Sequence, residues 1–383
     1  MVDKLNNIPE EILRLDHYTD DVSILIGENG SGKSTLLNNL SKYFLERDKD
    51  VVAIATSIHD KFDNNHRNFK TLRGRSGRRQ ARSTIKNALQ NIAESEIQRL
   101  KNASQALKYV GFDPVIGFKL EELHKSFNEI IRTSNFPEND KEQINYLLEK
   151  TLREADAADS IIWLEIDSFS FSELEKSTLT ELILWESRLK ELKIIDRIEV
   201  FLRKNNSIIS MLDASSGELV LITSIVYLST AITEKTVILI DEPENSLHPK
   251  WQKQYAKIIL DIFYRYQPKV IIATHSPLVI SGAELFIENP KIYKAENFTF
   301  QLQKKEPLNL EELYFRFFDI TTPQNRFLSD RLIRLLNLLA NNKITLSAFR
   351  NEIKKIESNS YDPKQLDVLK SIQDLALEIS SQN

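Results

Sequence analysis

The chain has 383 residues, 41% of them hydrophobic and 28% charged, with nine glycines, eleven prolines and a formal net charge of −4 at pH 7. This composition excludes a disordered or fibrous chain, and the slightly acidic total excludes a global attraction to nucleic acid or anionic lipid, so any such binding has to be local. The absence of cysteine excludes disulfides, thiolate metal sites and cysteine nucleophiles together and fits a reducing compartment.

The first thirty residues lack the basic-then-apolar order of a secretory leader. No apolar run approaches the roughly 20 residues that span a bilayer. A cytoplasmic protein with no membrane partner is expected.

SILIG (23–27) is the first of four short apolar runs, followed by VVAIATS (51–57), TVILID (236–241) and KVIIATH (269–275). They are apolar on both faces, as parallel strands covered by helices on both sides must be. Helical patterns follow at Lys33–Glu46 and Trp251–Phe263. Strand, turn, helix, strand predicts an α/β fold.

In the middle, apolar residues recur at helical spacing over Ser83–Tyr109, Leu120–Ile131, Lys141–Ala157 and Ser172–Leu192, with a strand pair expected near Val115–Leu120 and Ile198–Leu202. After about Pro307 the pattern is helical again, with Leu332, Leu335, Leu336 and Leu339 on one face. The predicted organisation is an α/β core over 1–60 and 205–305, a basic loop plus mostly helical insertion over 61–204, and a helical C-terminal region over 306–383.

GENGSGKST (27–35) matches G-x-x-x-x-G-K-[ST] and sits between a predicted strand and a predicted helix. Its glycines, Gly27, Gly30 and Gly32, let backbone N–H groups curl around a phosphate chain, and the helix N-terminus adds its dipole. Lys33 is expected to reach the β- and γ-phosphates and Ser34 to bind Mg²⁺. TVILIDEPE (236–244) ends a buried strand in acids. Asp241 would hold the metal, Glu242 would polarise the attacking water, and Glu244 is assigned no chemistry.

SSGE (215–218) precedes a very apolar helix. Ser215 and Glu218 have the spacing of a capping box; the same helix start could also serve as an anion site, and spacing alone favours the cap. His275, in ATHSP, ends a predicted strand that would lie beside that of Asp241. Its ring could then reach a γ-phosphate. There is no H-x-x-x-H pairing to suggest zinc.

In this order, the stretches resemble the ABC-type ATPases, and more narrowly the branch that includes RecF, the structural-maintenance (SMC) proteins and the OLD-family ATPases. GENGSGKST is similar to that branch's Walker A motif, Ala214–Glu218 to its signature motif, ILIDEPENSLHP (238–249) to its Walker B and D-loop, and His275 to its switch histidine. The resemblance covers roughly 20–60 and 210–280. It implies an ABC-type P-loop sheet that binds ATP with Mg²⁺ through Gly27, Asn29, Gly30, Ser31, Gly32, Lys33, Ser34 and Thr35.

It further implies that Glu242 is the general base and His275 the γ-phosphate sensor. Ser215 and Gly217 would contact ATP held by a second subunit, giving a homodimer or an oligomer of dimers. A Q-loop glutamine should follow the second core strand, and Gln80 is the nearest candidate. The signature departs from the pattern in starting with Ala214. The chain leaves little room before Gly27 for the family's N-terminal strands. No D-x-D follows His275 like that of the Toprim nuclease domain, so the chain resembles an ATPase without its own nuclease. Such are the stand-alone ATPases of antiphage systems, the PtuA subunit of Septu and its retron-associated relatives.

TLRGRSGRRQAR (71–82) has five arginines in twelve positions, and no Asp or Glu occurs from Asn64 to Ala93. Arg67, Lys70, Arg73, Arg75, Arg78, Arg79, Arg82 and Lys86 would repel one another on a bare surface. Three readings stay open: a solvated face, a nucleic-acid phosphate contact, and an acidic protein surface. The expected function is an ATPase that controls a separate effector, an HNH-type nuclease or a reverse transcriptase, in antiphage defence. A DNA-repair ATPase binding DNA directly is the alternative, and the energising subunit of a membrane transporter ranks last.

Overall fold

The computed structural model describes residues 8–15, 20–57, 60–74, 82–87, 97–154, 160–167, 178–303, 310–318, 326–358 and 363–382. Its strands are Val22–Ile26 (β1), Asp50–Ala55 (β2), Phe69–Arg73 (β3), Val115–Glu121 (β4), Ile162–Glu165 (β5), Arg197–Lys204 (β6), Ser207–Ser210 (β7), Thr236–Asp241 (β8), Lys269–Thr274 (β9), Lys291–Glu296 (β10) and Thr299–Leu302 (β11).

The fold is α/β, as predicted, and is built on a seven-stranded sheet in the order β11-β10-β1-β9-β8-β2-β3. All pairings in it are parallel except that of β10 with β11. Every residue of β1, β8 and β9 is buried, because helices cover both faces of the sheet. On one face lies the helix Lys33–Leu45, with Leu36, Leu37, Leu40 and Phe44 packed on Leu25, Val51 and Leu239. On the other lies the helix Ser216–Ala231, apolar nearly all round and buried nearly all round, as such a helix must be.

The four predicted core strands are β1, β2, β8 and β9. Two features lie beyond them. Phe69–Arg73 adds a parallel strand outside β2, where half-exposed residues mark a sheet edge. On the other side, the hairpin β10–β11 extends the sheet beyond β1. A segment that follows His275 in sequence thus forms the sheet edge next to the phosphate loop.

The middle of the chain holds a second, antiparallel sheet, β5-β4-β6-β7, among its helices. The expected strand pair is β4 with β6, in register Ile116↔Leu202 to Glu121↔Arg197. Ile116, Phe118, Val200 and Leu202 of this sheet share one apolar core with the helix Ser216–Ala231, so the two sheets are welded through that helix. The C-terminal helices Arg326–Ala340, Leu346–Ser358 and Pro363–Gln382 have a separate core that includes Leu332, Leu339, Phe349, Ile353 and Leu369, with Leu335 and Leu336 packed against it. Among the described residues, no helix is long and apolar enough to cross a membrane.

The sheet register positions the site. Ile26 pairs with Thr274, and Asp241 with Ala273. Three neighbouring strands therefore end level, and Gly27, Glu242 and His275 leave them at one edge, the carboxyl edge where such sheets bind ligands. At the opposite edge the buried pair Lys269–Asp21, 2.9 Å apart, ties β9 to the residue before β1.

Candidate functional site

The phosphate loop takes the shape that its glycines permit. Gly30 and Gly32 sit at φ +82° and +101°, in the left-handed region that glycine enters without penalty. The helix Lys33–Leu45 starts directly behind, aimed at the carboxyl edge. Lys33 Nζ donates to the carbonyls of Gly27 at 2.8 Å and Glu28 at 2.9 Å. This ammonium is buried in the concavity that a phosphate chain would fill. Burial pushes its pKa down to about 8, against the pull of Glu242, Asp241 and Glu244.

Ser34 Oγ donates to Asp241 Oδ1 at 3.1 Å. Asp241 is almost fully buried, and desolvation raises its pKa to about 6 despite the Ser34 hydrogen bond. A hydroxyl and a carboxylate that both cost energy to bury form a hard oxygen donor pair, the chemistry that Mg²⁺ prefers. Among the described residues, no group of three His, Asp or Glu side chains could hold a metal unaided. The pair therefore fits an ion that phosphate oxygens complete.

Glu242 has φ +53°, a conformation a non-glycine residue keeps only when its surroundings enforce it. Its N–H donates to Ala273 O at 2.8 Å, and its carbonyl accepts from Thr56 Oγ1. The backbone so held turns the carboxylate toward the loop. Asn245 Nδ2 donates to Oε2 at 3.0 Å, and His275 Nε2 lies 3.4 Å from Oε1. The other ring nitrogen of His275, Nδ1, lies 3.5 Å from Lys33 Nζ. Burial first and the Lys33 charge second lower the His275 pKa, so the imidazole is neutral at pH 7.

The structure thus brings Gly27–Thr35, Asp241, Glu242 and His275 into one site. Ser215 lies at the start of its own helix, where both readings of SSGE begin from the same contacts. Its Oγ accepts from Glu218 N at 3.3 Å, and Glu218 Oε2 accepts from Ser215 N at 3.1 Å, a complete capping box. Gly217 has no room for a side chain: a Cβ would run into the Ser246 carbonyl. The signature-like turn is thereby stacked on the residues that follow Glu242.

Gln80, Arg75, Arg78 and Arg79 lie outside the described residues. The rest of the basic stretch divides. Arg73 Nε lies 3.3 Å from Asp60 Oδ1, Arg82 Nη1 lies 3.2 Å from Glu199 Oε2, and Lys86 Nζ lies 2.8 Å from Glu186 Oε2. Acids distant in sequence thus neutralise three of the cations, which a count of local charges could not reveal. Arg67 and Lys70 are exposed.

Three contributors escaped sequence reasoning. Glu244, assigned no chemistry, is pushed up in pKa by burial and accepts the backbone N–H of His275. Its signal was present in the third acid of DEPE. Thr56 and Asn245 hold Glu242, and although Asn245 stands in ILIDEPENSLHP, nothing in the sequence sets either apart as a support for the acid.

Residues 120–281 match the family model described as "AAA domain, putative AbiEii toxin, Type IV TA system". That span includes SSGE, DEPE and His275, and the phosphate loop precedes it. The chain is 25% identical to "Retron Vc95 probable ATPase" of Vibrio cholerae serotype O1 biovar El Tor over 376 residues, covering 76% of this chain and 72% of that protein. It is 36% identical to "Protein ea59" of Escherichia phage lambda over 70 residues, 18% of this chain and 13% of that protein. Among solved structures, cbiO1 of Clostridium perfringens, part of an ABC transporter complex, aligns over 79% of this chain and 80% of its own at 11% identity and a TM-score of 0.29. The motifs thus stand in the order found in ABC-type ATPases, and the chain is similar over about three quarters of its length to a retron ATPase.

Proposed function

We propose that the chain binds ATP with Mg²⁺ on Gly27–Thr35, closes into a dimer around it, and uses hydrolysis to control a separate effector in an antiphage defence complex. The observation that carries this reading is the meeting of Lys33, Asp241, Glu242 and His275 at the level ends of β1, β8 and β9. Glu242 is the general base that orients and deprotonates the attacking water. His275, neutral, presents an N–H toward the γ-phosphate, and Lys33 neutralises charge on the β- and γ-oxygens. Ser34 and Asp241 would hold the metal, which when bound would supply charge neutralisation.

In the dimer, Ser215 and Gly217 of one subunit complete the site of the other. The capped turn opens a helix, and a helix start suits a phosphate. The retron ATPase relative supports the defence role, with an HNH-type nuclease or a reverse transcriptase as the effector. The test is a pull-down of Glu242→Gln protein from its host cells, with identification of bound proteins and nucleic acids. A stable effector chain is the expected catch.

A second reading, a DNA-repair ATPase that binds DNA directly, draws on exposed Arg67 and Lys70. It requires DNA-stimulated hydrolysis with no partner, and DNA alone in the same pull-down.

A further inference from the structure

We infer that Lys204 is a positioning residue for the signature-like turn: it neutralises the Glu218 carboxylate so that Ser215 can meet a phosphate. This rests on the reading of Ser215 as the residue that contacts ATP held by a second subunit.

The turn carries an acid where it has to meet an anion. Glu218 Oε2 accepts from Ser215 N at 3.1 Å and from Ser215 Oγ at 2.9 Å. The second contact sets a carboxylate directly against the hydroxyl offered to the γ-phosphate. Burial alone would raise the Glu218 pKa, but hydrogen bonds from Lys204 and Ser215 outweigh it and hold the pKa below its ordinary value. The carboxylate is therefore charged at pH 7. A capping box works with glutamine as well, and glutamine brings no charge. With glutamate, two anions would face each other across one hydroxyl, a repulsion that partly buried surroundings strengthen.

Lys204 answers that charge. Its Nζ donates to Glu218 Oε1 at 2.7 Å, on the carboxylate oxygen opposite the one used by the cap. The two side chains are 30% and 15% exposed, so solvent screens the pair only in part. The ammonium is held in place from the inserted region. Nζ donates to Val110 O at 3.4 Å, at the end of the helix Ile97–Val110, and lies 4.9 Å from the centre of the Phe112 ring. Lys204 itself ends β6, where Asn205 and Asn206 take φ +50° and +63°, as a two-residue turn into β7 requires. Its neighbour Arg203 pins the same strand end, with Nε 2.7 Å from Asp113 Oδ2. The acid thus belongs to the helix Ser216–Ala231 and the cation to the second sheet. The fit between the two decides whether the turn shows a neutral or an anionic face. A shift of the second sheet that withdraws Lys204 would disfavour the ATP-joined dimer without touching the phosphate loop.

The test follows ATP-driven association of Glu242→Gln protein by solution mass, against protein concentration, with Lys204→Met, Glu218→Gln or both added. Methionine keeps the stem beside Phe112 and removes the charge. Lys204→Met is expected to weaken association by about ten- to a hundredfold, the scale of stranding one partner of a charge pair at an interface. ATP affinity measured below the association range should stay unchanged. Glu218→Gln alone, and Glu218→Gln with Lys204→Met, should associate like the parent, because no acid is left to neutralise. Unchanged association in Lys204→Met would overturn the inference. So would equal weakening in the double variant, which would make Lys204 a packing residue, or loss of association in Glu218→Gln alone, which would make the acid itself the requirement. A Glu242→Gln parent that bound ATP and stayed monomeric would overturn the dimer reading and this inference with it. A parent that associates, with no rescue by Glu218→Gln, would overturn this inference alone.

Discussion

His275 faces Glu242 across 3.4 Å, Nε2 to Oε1, while its opposite nitrogen faces Lys33 Nζ across 3.5 Å. One tautomer satisfies both contacts: Nδ1 accepts from the ammonium and Nε2–H donates to the carboxylate. A neutral ring serves here, and the lowered pKa keeps it neutral. Without a nucleotide, the ring bridges the cation that would hold the phosphates and the base that would activate water. Its Nε2–H is the group that a γ-phosphate oxygen would claim. We expect His275→Ala to slow turnover by about a hundredfold, the scale of one lost transition-state donor. ATP affinity measured by titration should change by much less.

Lys33 gives a pH dependence of known sign. Its folded pKa, lowered to about 8 by burial, means that the ligand-free protein sheds this proton as pH rises through about 8. The ATP complex needs the ammonium and holds it to higher pH. The Lys33 contribution to ATP affinity should therefore be flat below about pH 7 and fall by up to about tenfold per pH unit above 8. Calorimetry in two buffers of different ionisation enthalpy should show uptake of a proton with ATP above pH 8 and none at pH 6.5.

Asp241 gives the opposite case, a group that burdens the empty fold. An acid whose pKa is raised from 3.8 to about 6 by burial costs nothing below pH 3.8, where both folded and unfolded forms are protonated. The cost grows between those values and is complete above pH 6. Its size is about 3 kcal/mol at pH 7. Asp241→Asn keeps an acceptor for Ser34 and removes the charge. We expect the nucleotide-free variant to be more stable than wild type by about 2 to 3 kcal/mol at pH 7 and equal to it near pH 3.5, by denaturant melts. Hydrolysis should be lost.

The basic stretch should separate into two classes on mutation. Lys86 and Glu186 are paired at 2.8 Å with side chains only 7% and 14% exposed, and Glu186 also accepts from Ile198 N at 3.0 Å. Lys86→Ala leaves that carboxylate with Lys190, 3.3 Å away, as its remaining cation and should cost about 2 kcal/mol of stability. The double change Arg67→Ala, Lys70→Ala should leave stability within about 0.5 kcal/mol, because neither side chain is buried. If nucleic acid binds here, the double change alone should lower affinity and flatten its salt dependence.

The parts of this structure legible in the sequence are those written in local pattern. SILIG, VVAIATS, TVILID and KVIIATH read as buried strands because a parallel strand covered on both faces has to be continuously apolar. GENGSGKST and DEPE read as a phosphate site because their chemistry lies in consecutive residues. What escaped was written in long-range pairing. FKTLR, β3, is too polar to signal a core strand, and only its place at the sheet edge explains it. KIYKAE and TFQL, β10 and β11, follow His275 yet close the sheet beside β1, which no local pattern announces. The arginines looked mutually repulsive because Asp60, Glu186 and Glu199, which answer three of the basic residues, lie outside the window.

In the dimer we propose, ATP joins two copies of this chain, with Glu242 of one subunit facing Ser215 of the other. The solution mass of Glu242→Gln protein with and without ATP and Mg²⁺ tests this arrangement. Glutamine keeps the shape of the base but cannot take the proton, so hydrolysis should fall by at least about a hundredfold while ATP still binds. A mass increase by a further copy or multiple is expected on adding ATP. Loss of that increase is expected when Ser215→Asp, which sets a carboxylate against the γ-phosphate, is added. An unchanged mass with ATP bound, or wild-type hydrolysis by Glu242→Gln, would contradict it.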